Sequence, residues 1–251
     1  MKRTINRLSP IPIYYQIAAD IKNLLIDQQY QIDQKIPSEN TLAEMYKVSR
    51  VTLRQALSEL EKDGIITKIK GYGSVLCGNP NPIFQTLQLP GFNKTYYKKD
   101  EEENEVVFSP KIIELRKVGS VAQINKALHL DSTADLCYIK RVFYHKSLAV
   151  GINNSWLDFN KVPGITEEGL IGNRLSLTLS ERFNFDPNKI SNTIESSILT
   201  PAEMTLLNIK FTTQSLVISS ISYIGDGNPL EYSKTIWIGD KIKFQTVSIK
   251  D

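Results

Sequence analysis

Two short amphipathic segments follow one another closely, and each begins at a serine. The first starts at Pro37-Ser38-Glu39-Asn40 and places Leu42 and Met45 on one side of a helix of about two turns. Lys47-Val48 interrupts this pattern, and Ser49 then caps a longer helix that continues to Asp63, with a buried stripe at Ala56, Leu57 and Leu60. Two helices joined by so short a turn predict a helix-turn-helix, whose second helix is the one that enters a major groove.

The flanking segments complete a small domain around these two helices. Apolar residues recur at helical spacing from Ile13 to Leu25, which predicts a preceding helix after the entry at Pro10 to Pro12. Gly64 ends the third helix, and residues 65–76 then predict a strand, a glycine tip and a returning strand. A hairpin at this place is typical of a wing.

Basic side chains stand where such a domain would meet DNA. Arg50 and Arg54 are four residues apart on the face opposite the buried stripe, where each can bind a guanine edge or a phosphate. The alternative is that they pair with acids such as Glu44 or Glu59 on a solvated face. In the hairpin, Lys68 and Lys70 flank the tip, Gly71 and Gly73 allow close approach to a sugar-phosphate backbone, and Tyr72 can lie along it.

The net charge of +3 is unevenly divided along the 251 residues. Residues 1–78 hold 11 basic and 8 acidic side chains, whereas residues 79–251 hold 19 of each. All of the excess positive charge therefore lies in the first third. This asymmetry favours a phosphate-facing module joined to a neutral ligand-binding or oligomerisation module.

Several separated blocks resemble the DNA-binding domain of GntR-family regulators over residues 11–76. They are Pro12 to Ile17, Ile36 to Glu39, Val48 to Leu57, and Gly64 to Ile66 with Gly71-Tyr72-Gly73. The resemblance implies that Asn40 joins Arg50 and Arg54 at the DNA, with Ser49 and Thr52 near phosphates. It also implies that Gly71 enters the minor groove between Lys70 and Tyr72. Some members have an arginine or another long side chain where Asn40 stands, so this contact is shorter or selects another base.

The remaining residues predict a second domain of the α+β class. Asn79-Pro80-Asn81-Pro82 breaks the chain, so we place the first domain at 1–78, a linker at 79–85 and the second domain at 86–251. Strand-like runs cover 106–108, 111–118, 136–144, 150–156, 190–198, 215–224 and 230–238. Helix-like runs near 120–128, 174–183 and 201–207 are interspersed, which predicts an antiparallel sheet with helices.

Other chemistry has little support in the sequence. Cys77 and Cys137 lack a CxxC spacing or a nearby histidine, so we expect two buried thiols and no zinc site. His129 and His145 are isolated, and no Walker loop, HExxH or GxSxG motif occurs, so no cofactor, metal or catalytic triad is expected. The acidic run at 100–105 predicts a solvated loop or hairpin. Neither a secretory signal nor an apolar run of membrane-spanning length is seen, which indicates a cytoplasmic protein.

The order of segments in the second domain resembles the UTRA domain of the HutC branch of GntR regulators. The likeness rests on Asn125 to Leu128, Cys137 to Val142, Asn153 to Leu157, Gly227 to Ser233 and Gly239 to Phe244. It implies a fold related to chorismate lyase, with an effector pocket beside the sheet. The effector residues it implies are Phe92, Asn93, Arg141, Asn153, Glu231 and Ser233.

This chain departs from members of the branch that bind phosphorylated sugars. Those members tend to have a Ser-Phe-Thr-like loop and an Arg-x-Arg pair, whereas Gly91-Phe92-Asn93 and Arg141-Val142-Phe143 stand here. A phosphate ligand would bind less well by about 1.5 to 3 kcal/mol unless Lys140 or Lys189 compensates. Arg141 can instead bind a carboxylate, and Glu231 an amine or hydroxyls. Asn153 stands where the family often has an acid. Ion pairs within the sheet are the structural alternative for Arg141 and Glu231.

The sequence thus predicts a homodimeric transcription regulator, more specifically a repressor. It would bind an inverted-repeat operator and be released by an acidic small molecule, either with or without a phosphate group. Two other classes stay open: a lyase-like enzyme with accessory DNA binding, and a second domain that binds a protein instead of a metabolite.

Overall fold

The computed structural model describes residues 5–80, 83–86, 108–145 and 147–245. The chain divides between Pro82 and Ile83 into two compact units. Residues 83–85, which the sequence pattern placed in the linker, belong to a strand of the second unit. Phe92, Asn93 and the acidic run at 100–105 lie outside the described residues.

The first unit contains three helices followed by a β-hairpin. The helices are α1 (Ile13–Asp27), α2 (Glu39–Tyr46) and α3 (Arg50–Lys62), and the hairpin consists of β1 (Ile66–Ile69) and β2 (Gly73–Leu76), which pair antiparallel. Ser38 caps α2 by accepting from the Thr41 amide, and Ser49 caps α3 by accepting from the Thr52 amide. Lys47 ends α2 in the left-handed conformation, which turns the chain into α3. The predicted helix-turn-helix and wing are confirmed.

A single apolar core joins these elements. Each helix contributes the stripe expected from its spacing, and the hairpin closes the remaining side with Ile66 and Leu76. The hairpin's Ile66 and Leu76 are fully enclosed, as are the helical side chains Ile17, Ile21, Leu25, Leu42, Leu53, Leu57 and Leu60. Burial of each such side chain stabilises the fold by about 1.5 to 3 kcal/mol. Packing therefore fixes α3 with its polar face outward.

The second unit is built on a six-stranded antiparallel sheet. Its strands are β4 (Phe108–Val118), β5 (Leu136–His145), β6 (Leu148–Asp158), β7 (Lys189–Ile198), β8 (Gln214–Ile224) and β9 (Asn228–Ile238). They lie in the order β4-β5-β6-β9-β8-β7. Two further strands, β3 (Ile83–Thr86) and β10 (Ile242–Gln245), form a separate parallel pair. The helices are α4 (Ala122–Ala127), α5 (Ile165–Glu168), α6 (Leu175–Phe183) and α7 (Pro201–Leu206). The predicted α+β class is confirmed.

The two faces of this sheet carry different cores. On one face, Cys137 and Ile139 of β5 pack with Leu157 and with Leu175 and Leu179 of α6. We call this the α6 face. On the other, Val142 packs with Ile152, Val217 and Ile236 and with residues beside α7, which are Leu199 and Leu207. Side chains alternate between the faces along each strand, so position in the strand decides which core a residue joins.

The two cysteines differ in exposure. Cys137 lies fully buried within the α6 face, and this burial raises the pKa of its thiol to about 12. Cys77 follows the last residue of β2 and is exposed, so the prediction of a buried thiol was wrong for Cys77. The reason is local: Leu76 takes the last inward position of the hairpin, and the next side chain points outward. None of the helices in the described ranges is long and apolar enough to cross a membrane.

We expect one thiol of the native chain to react with a thiol-specific disulfide reagent near pH 8, and the second only after denaturation. The exposed Cys77 supplies the first thiol, because a high pKa and burial keep Cys137 unreactive. The native Cys77→Ser variant should react with almost none of the reagent, so that chromophore is released from the reagent only after the chain is unfolded. Rapid labelling of that variant in its native state would contradict the burial of Cys137.

Gly151 supports the aromatic part of the α6 face. A Cβ at this position would lie 2.6 Å from Cε3 of Trp237 and 3.0 Å from the carbonyl oxygen of Ile236. Gly151→Ala should therefore lower the free energy of unfolding by about 1 to 3 kcal/mol, as overpacked cores do. Urea unfolding measures this. Gly119→Ala is the control, because an added Cβ there meets nothing within 4 Å. Equal stability of the two variants would refute the close packing.

Candidate functional site

The exposed face of α3 carries both arginines predicted from the sequence. Arg50 and Arg54 are exposed, while Leu53 and Leu57 of the same helix are buried. Ser49 Oγ lies 2.9 Å from Thr52 Oγ1 and accepts from the Thr52 amide at 3.2 Å. Ser49 and Thr52 are thus used by the fold to begin the helix, at the end that carries Arg50. This face presents two guanidinium groups to solvent.

Arg54 has an acidic partner, but not one that the sequence suggested. Its Nε donates to Oε2 of Glu39 at 2.8 Å, and Oε1 of the same carboxylate lies 3.2 Å from Nζ of Lys68. Glu59 instead pairs with Lys62 at 2.7 Å. Glu39 was missed as a site residue, although it directly precedes Asn40. The pairing spans fifteen residues of sequence, and helical spacing gives no signal at that distance.

The hairpin tip presents its predicted residues to solvent. Lys70, Gly71 and Tyr72 are all exposed. Gly71 has φ of +79°, a conformation that favours glycine. The hairpin tip therefore has no side chain at this residue. Nζ of Lys35 lies 4.6 Å from the centre of the Tyr72 ring. Lys35, which the sequence did not single out, adds a further cation to the wing.

The first unit therefore brings several predicted residues around one carboxylate. Asn40 is exposed on α2 immediately after Glu39, while Arg54 and Lys68 reach Glu39 from α3 and β1. Exposed basic groups on a helix and on a neighbouring hairpin match the phosphate and groove contacts of a winged head. This is a candidate nucleic-acid interface.

Arg141 forms the centre of a second site, on the α6 face of the sheet. The residue is 7% exposed. Its Nε and Nη2 donate to Oδ1 of Asn153 at 3.2 and 2.6 Å, and Nη2 lies 3.4 Å from Oγ of Ser155. Asn153 Nδ2 in turn donates to Oγ1 of Thr235 at 2.9 Å. These contacts connect β5, β6 and β9 through neighbouring register positions.

The charge of this buried arginine is not matched by an ion pair among the described residues. Desolvation lowers the pKa of Arg141, and the charge of Glu231 partly opposes that effect by raising it. Its direct hydrogen-bond partners are a neutral amide and a hydroxyl. Burial of an unpaired charge costs several kcal/mol, so the arrangement favours an anion beside Arg141. Within the part of the chain that the structure describes, Arg141 has no ion pair, which was the structural alternative for this residue.

Lys140 and Lys189, the two lysines considered as replacements for the missing second arginine, do not share the α6 face with Arg141. Lys140 precedes it in β5 and therefore points to the opposite face. Lys189 stands opposite Tyr223, with Nζ 5.0 Å from that ring centre, whereas the next residue, Ile190, pairs with Ser222 on the α6 face. The strand pairing therefore places neither lysine with Arg141, and the weaker phosphate binding expected without compensation stays a prediction.

Phe143 takes the place of the second arginine on the α6 face. The Arg141 guanidinium carbon lies 5.6 Å from the centre of the Phe143 ring. That ring stacks on Trp237 at 5.5 Å with an angle of 17°, and Trp237 also lies 5.3 Å from Phe108. On one side, Arg141 is thus bordered by the rings of Phe143, Trp237 and Phe108, which we call the aromatic wall.

Hydroxyl groups extend from Arg141 across the sheet. Ser233 pairs in register with Ser155 on β6 and with Ser220 on β8, and Glu231 pairs with Ser222. The hydroxyl of Ser222 is buried without a hydrogen-bond partner among the described residues. The predicted residues Arg141, Asn153, Glu231 and Ser233 therefore share one face of adjacent strands.

Three further polar residues lie on this face and were not predicted from the sequence: Ser155, Thr235 and Ser222. The alternation of a strand gives a signal for two of them, because Ser155 is two residues from Asn153 and Thr235 is two residues from Ser233. Ser222 required knowledge of the β8–β9 register. Among the described residues, no group of three or more metal-ligating side chains is suited to a metal ion.

Two family comparisons cover most of the chain. Residues 105–243 match the family described as "UTRA domain", and residues 13–76 match "Bacterial regulatory proteins, gntR family". The first match includes Arg141 and its partners, and the second includes α1, α2, α3 and the hairpin.

Individual relatives match along nearly the whole chain. The "HTH-type transcriptional repressor NagR" of Bacillus subtilis strain 168 is 27% identical over 241 residues, which is 96% of this chain and 96% of that protein. The "Probable fructoselysine utilization operon transcriptional repressor" of Escherichia coli K12 is 25% identical over 230 residues, 89% of this chain and 91% of that protein. The crystal structure of PhnF from Mycobacterium smegmatis superposes with a TM-score of 0.62 at 21% identity, covering 94% and 100% of the two chains. This last likeness establishes the shared fold.

Proposed function

The chain belongs to the GntR family of bacterial regulatory proteins, with a UTRA domain after its DNA-binding head, and is a transcription regulator rather than an enzyme; from this membership we propose a specific mechanism. A homodimer in the cytoplasm binds an inverted-repeat operator as a repressor. An anionic small molecule that binds at Arg141 then releases it from DNA.

The exposed arginines of α3 support the operator-binding part of this proposal. Arg50 and Arg54 project from a helix whose opposite side is packed into the core, so the helix can enter a major groove without disturbing that core. Asn40 and the basic wing add contacts on either side, and Ser49 and Thr52 lie at the helix start, where phosphates bind. Two such heads related by a two-fold axis fit an inverted repeat.

The buried arginine is the observation on which the effector part rests. Arg141 faces neutral partners and leaves Nη1 without a hydrogen bond to any described residue, so an anion gains a charge-assisted bond without displacing an existing ion pair. Ser233 and Glu231 stand along the same face to meet hydroxyl or amine groups. The aromatic wall suits the apolar side of a ring. We therefore assign an effector that combines one acidic group with several hydroxyls, and a sugar phosphate or sugar acid has this character.

Relatives support repression as the sign of regulation. The Bacillus and Escherichia proteins matched here are both named as transcriptional repressors. Release needs only an effector that binds the DNA-free arrangement more tightly than the DNA-bound one. By reciprocity, operator DNA then weakens effector binding by the same factor, typically equivalent to about 1 to 3 kcal/mol.

Arg50→Ala and Arg54→Ala should each lose the base preference at the position that the arginine reads and leave the assembly state unchanged. Each removes groove contacts worth about 1 to 3 kcal/mol of base discrimination, whereas the core and the second unit are untouched. The probe is a duplex that the unaltered chain enriches from a randomised library, with fluorescence anisotropy at fixed salt as the measurement. Lys62→Ala, at the far end of α3, is the matched control and should keep its selectivity. Undiminished selectivity of both arginine variants would refute this role of α3.

Arg141→Met should remove the response to effector without lowering the stability of the ligand-free chain. Methionine fills similar space and removes a buried charge, a change that is often neutral or stabilising. Thermal shift and release of bound DNA are measured with phosphorylated sugars and sugar acids, each compared with its uncharged parent sugar. Asn153→Asp should also remove the response to effector, because a carboxylate at position 153 would neutralise the charge of Arg141. Full release of either variant by the same anion would exclude Arg141 as the binding group.

A further inference from the structure

Glu39 is an acidic residue in the middle of a basic surface, and it contacts two different elements. Its Oε2 accepts a hydrogen bond from Nε of Arg54 at 2.8 Å, and its Oε1 lies 3.2 Å from Nζ of Lys68. One carboxylate at the first residue of α2 thereby connects the recognition helix α3 with the wing strand β1. Its side chain is 26% exposed, which is less than either of its partners.

We propose that Glu39 is a positioning residue for operator reading, which holds Arg54 in the orientation that recognises a base and keeps the wing beside it. This role rests on the proposed function, since it presumes that α3 reads DNA. Glu39 itself need not touch the DNA. Its contribution is to select one arrangement of two long, flexible basic side chains before the operator arrives.

The geometry of Arg54 explains how this works. The side chain is 62% exposed, so little packing restricts its rotamers. A guanidinium group has five donors, and the contact with Glu39 uses the one on Nε. The terminal nitrogens keep the other four, and the two of these at the end of the group, one on each nitrogen, form a fork that can bind two acceptors on a guanine edge. The conformational entropy of that fork is already lost in the free protein, so less entropy is lost when DNA binds.

Lys68 gives the second half of the arrangement. Its side chain is 48% exposed, and its ammonium group reaches Oε1 of the same carboxylate. Lys68 stands opposite Ser74 in the hairpin, close to the tip that carries Lys70 and Tyr72. A fixed Lys68 therefore links the position of the wing to that of Arg54.

The charge of Glu39 makes the proposal testable, because two explanations predict opposite results. The hydrogen bond from Arg54 lowers the pKa of Glu39, so the carboxylate is ionised at neutral pH. A negative charge at a DNA-facing surface opposes binding to phosphates of any sequence. If charge were its only effect, removal of Glu39 would strengthen binding to all DNA. If Glu39 positions Arg54, its removal must weaken discrimination between bases.

The experiment compares full-length Glu39→Gln with Arg54→Ala and with the unaltered chain. Each protein is used to enrich duplexes from the same randomised library, and anisotropy then gives affinities for the consensus and for its single-base variants. We expect Glu39→Gln to lose preference at the base position that Arg54→Ala loses, with the ratio of affinities there falling about tenfold. In the double variant, Glu39→Gln should add no further loss at that position.

Glu44→Gln is the matched control. It removes the same charge from the same helix α2, and Glu44 is exposed and makes no ion pair with a described residue. We expect it to bind all duplexes slightly more tightly with unchanged base preferences. Melting temperatures of the variants should match that of the unaltered chain, so that a folding defect is not mistaken for loss of reading.

Several outcomes would overturn the role of Glu39 and leave the proposed function intact. One is tighter binding of Glu39→Gln to every duplex with unchanged base preferences. Another is an equal loss of affinity for all sequences with a lowered melting temperature, which would make Glu39 a folding residue. A third is an Arg54→Ala protein that keeps every base preference. If the unaltered chain enriches no sequence at all, the proposed function fails, and the role of Glu39 fails with it.

Discussion

The alternation of side chains along the antiparallel sheet is the constraint on which the second unit depends. In β5, Cys137, Ile139, Arg141 and Phe143 share one face, and the residues between them lie on the other. The α6 face is apolar at one end, where it closes a core, and polar at its centre. Along β5 the residues of this face therefore change from the apolar Cys137 and Ile139 to the charged Arg141. Arg141 is therefore buried by the elements that make the fold stable.

A buried guanidinium group with neutral partners indicates a balance between stability and function. An apolar residue at position 141 would join the surrounding clusters at no electrostatic cost, whereas arginine must be desolvated. Asn153 and Ser155 recover part of this cost through hydrogen bonds and orient the group. They leave its charge unneutralised, whereas an acid at position 153 would neutralise it. Under the proposed function, this unmatched charge favours the binding of an anion.

The first unit uses charge differently, because its basic groups lie in solvent. Exposed ion pairs contribute little to stability, typically below about 1 kcal/mol. The contacts of Glu39 with Arg54 and Lys68 are of this kind, and the core of Ile17, Leu53 and Leu57 holds the unit together without them. Their effect is on orientation. Under the proposed function, both units present cations to an anionic partner, one through a buried arginine and the other through an arginine oriented by an ion pair.

The sequence by itself determined most of the local structure. The serines at 38 and 49, the apolar stripes of α1 to α3 and the glycines of the wing specify the first unit, because capping, helical period and turn chemistry act over a few residues. Strand alternation likewise revealed the sheet, and the family resemblance placed Arg141, Asn153, Glu231 and Ser233 together.

Only the tertiary structure decided which groups meet across the chain. It paired Arg54 with Glu39 instead of Glu59, turned Lys140 and Lys189 away from Arg141, exposed Cys77, and added Ser155, Thr235 and Ser222 to the α6 face. These outcomes depend on strand register and on the packing of elements far apart in sequence. A one-residue change of register moves a side chain to the opposite face, and local sequence patterns do not fix that register.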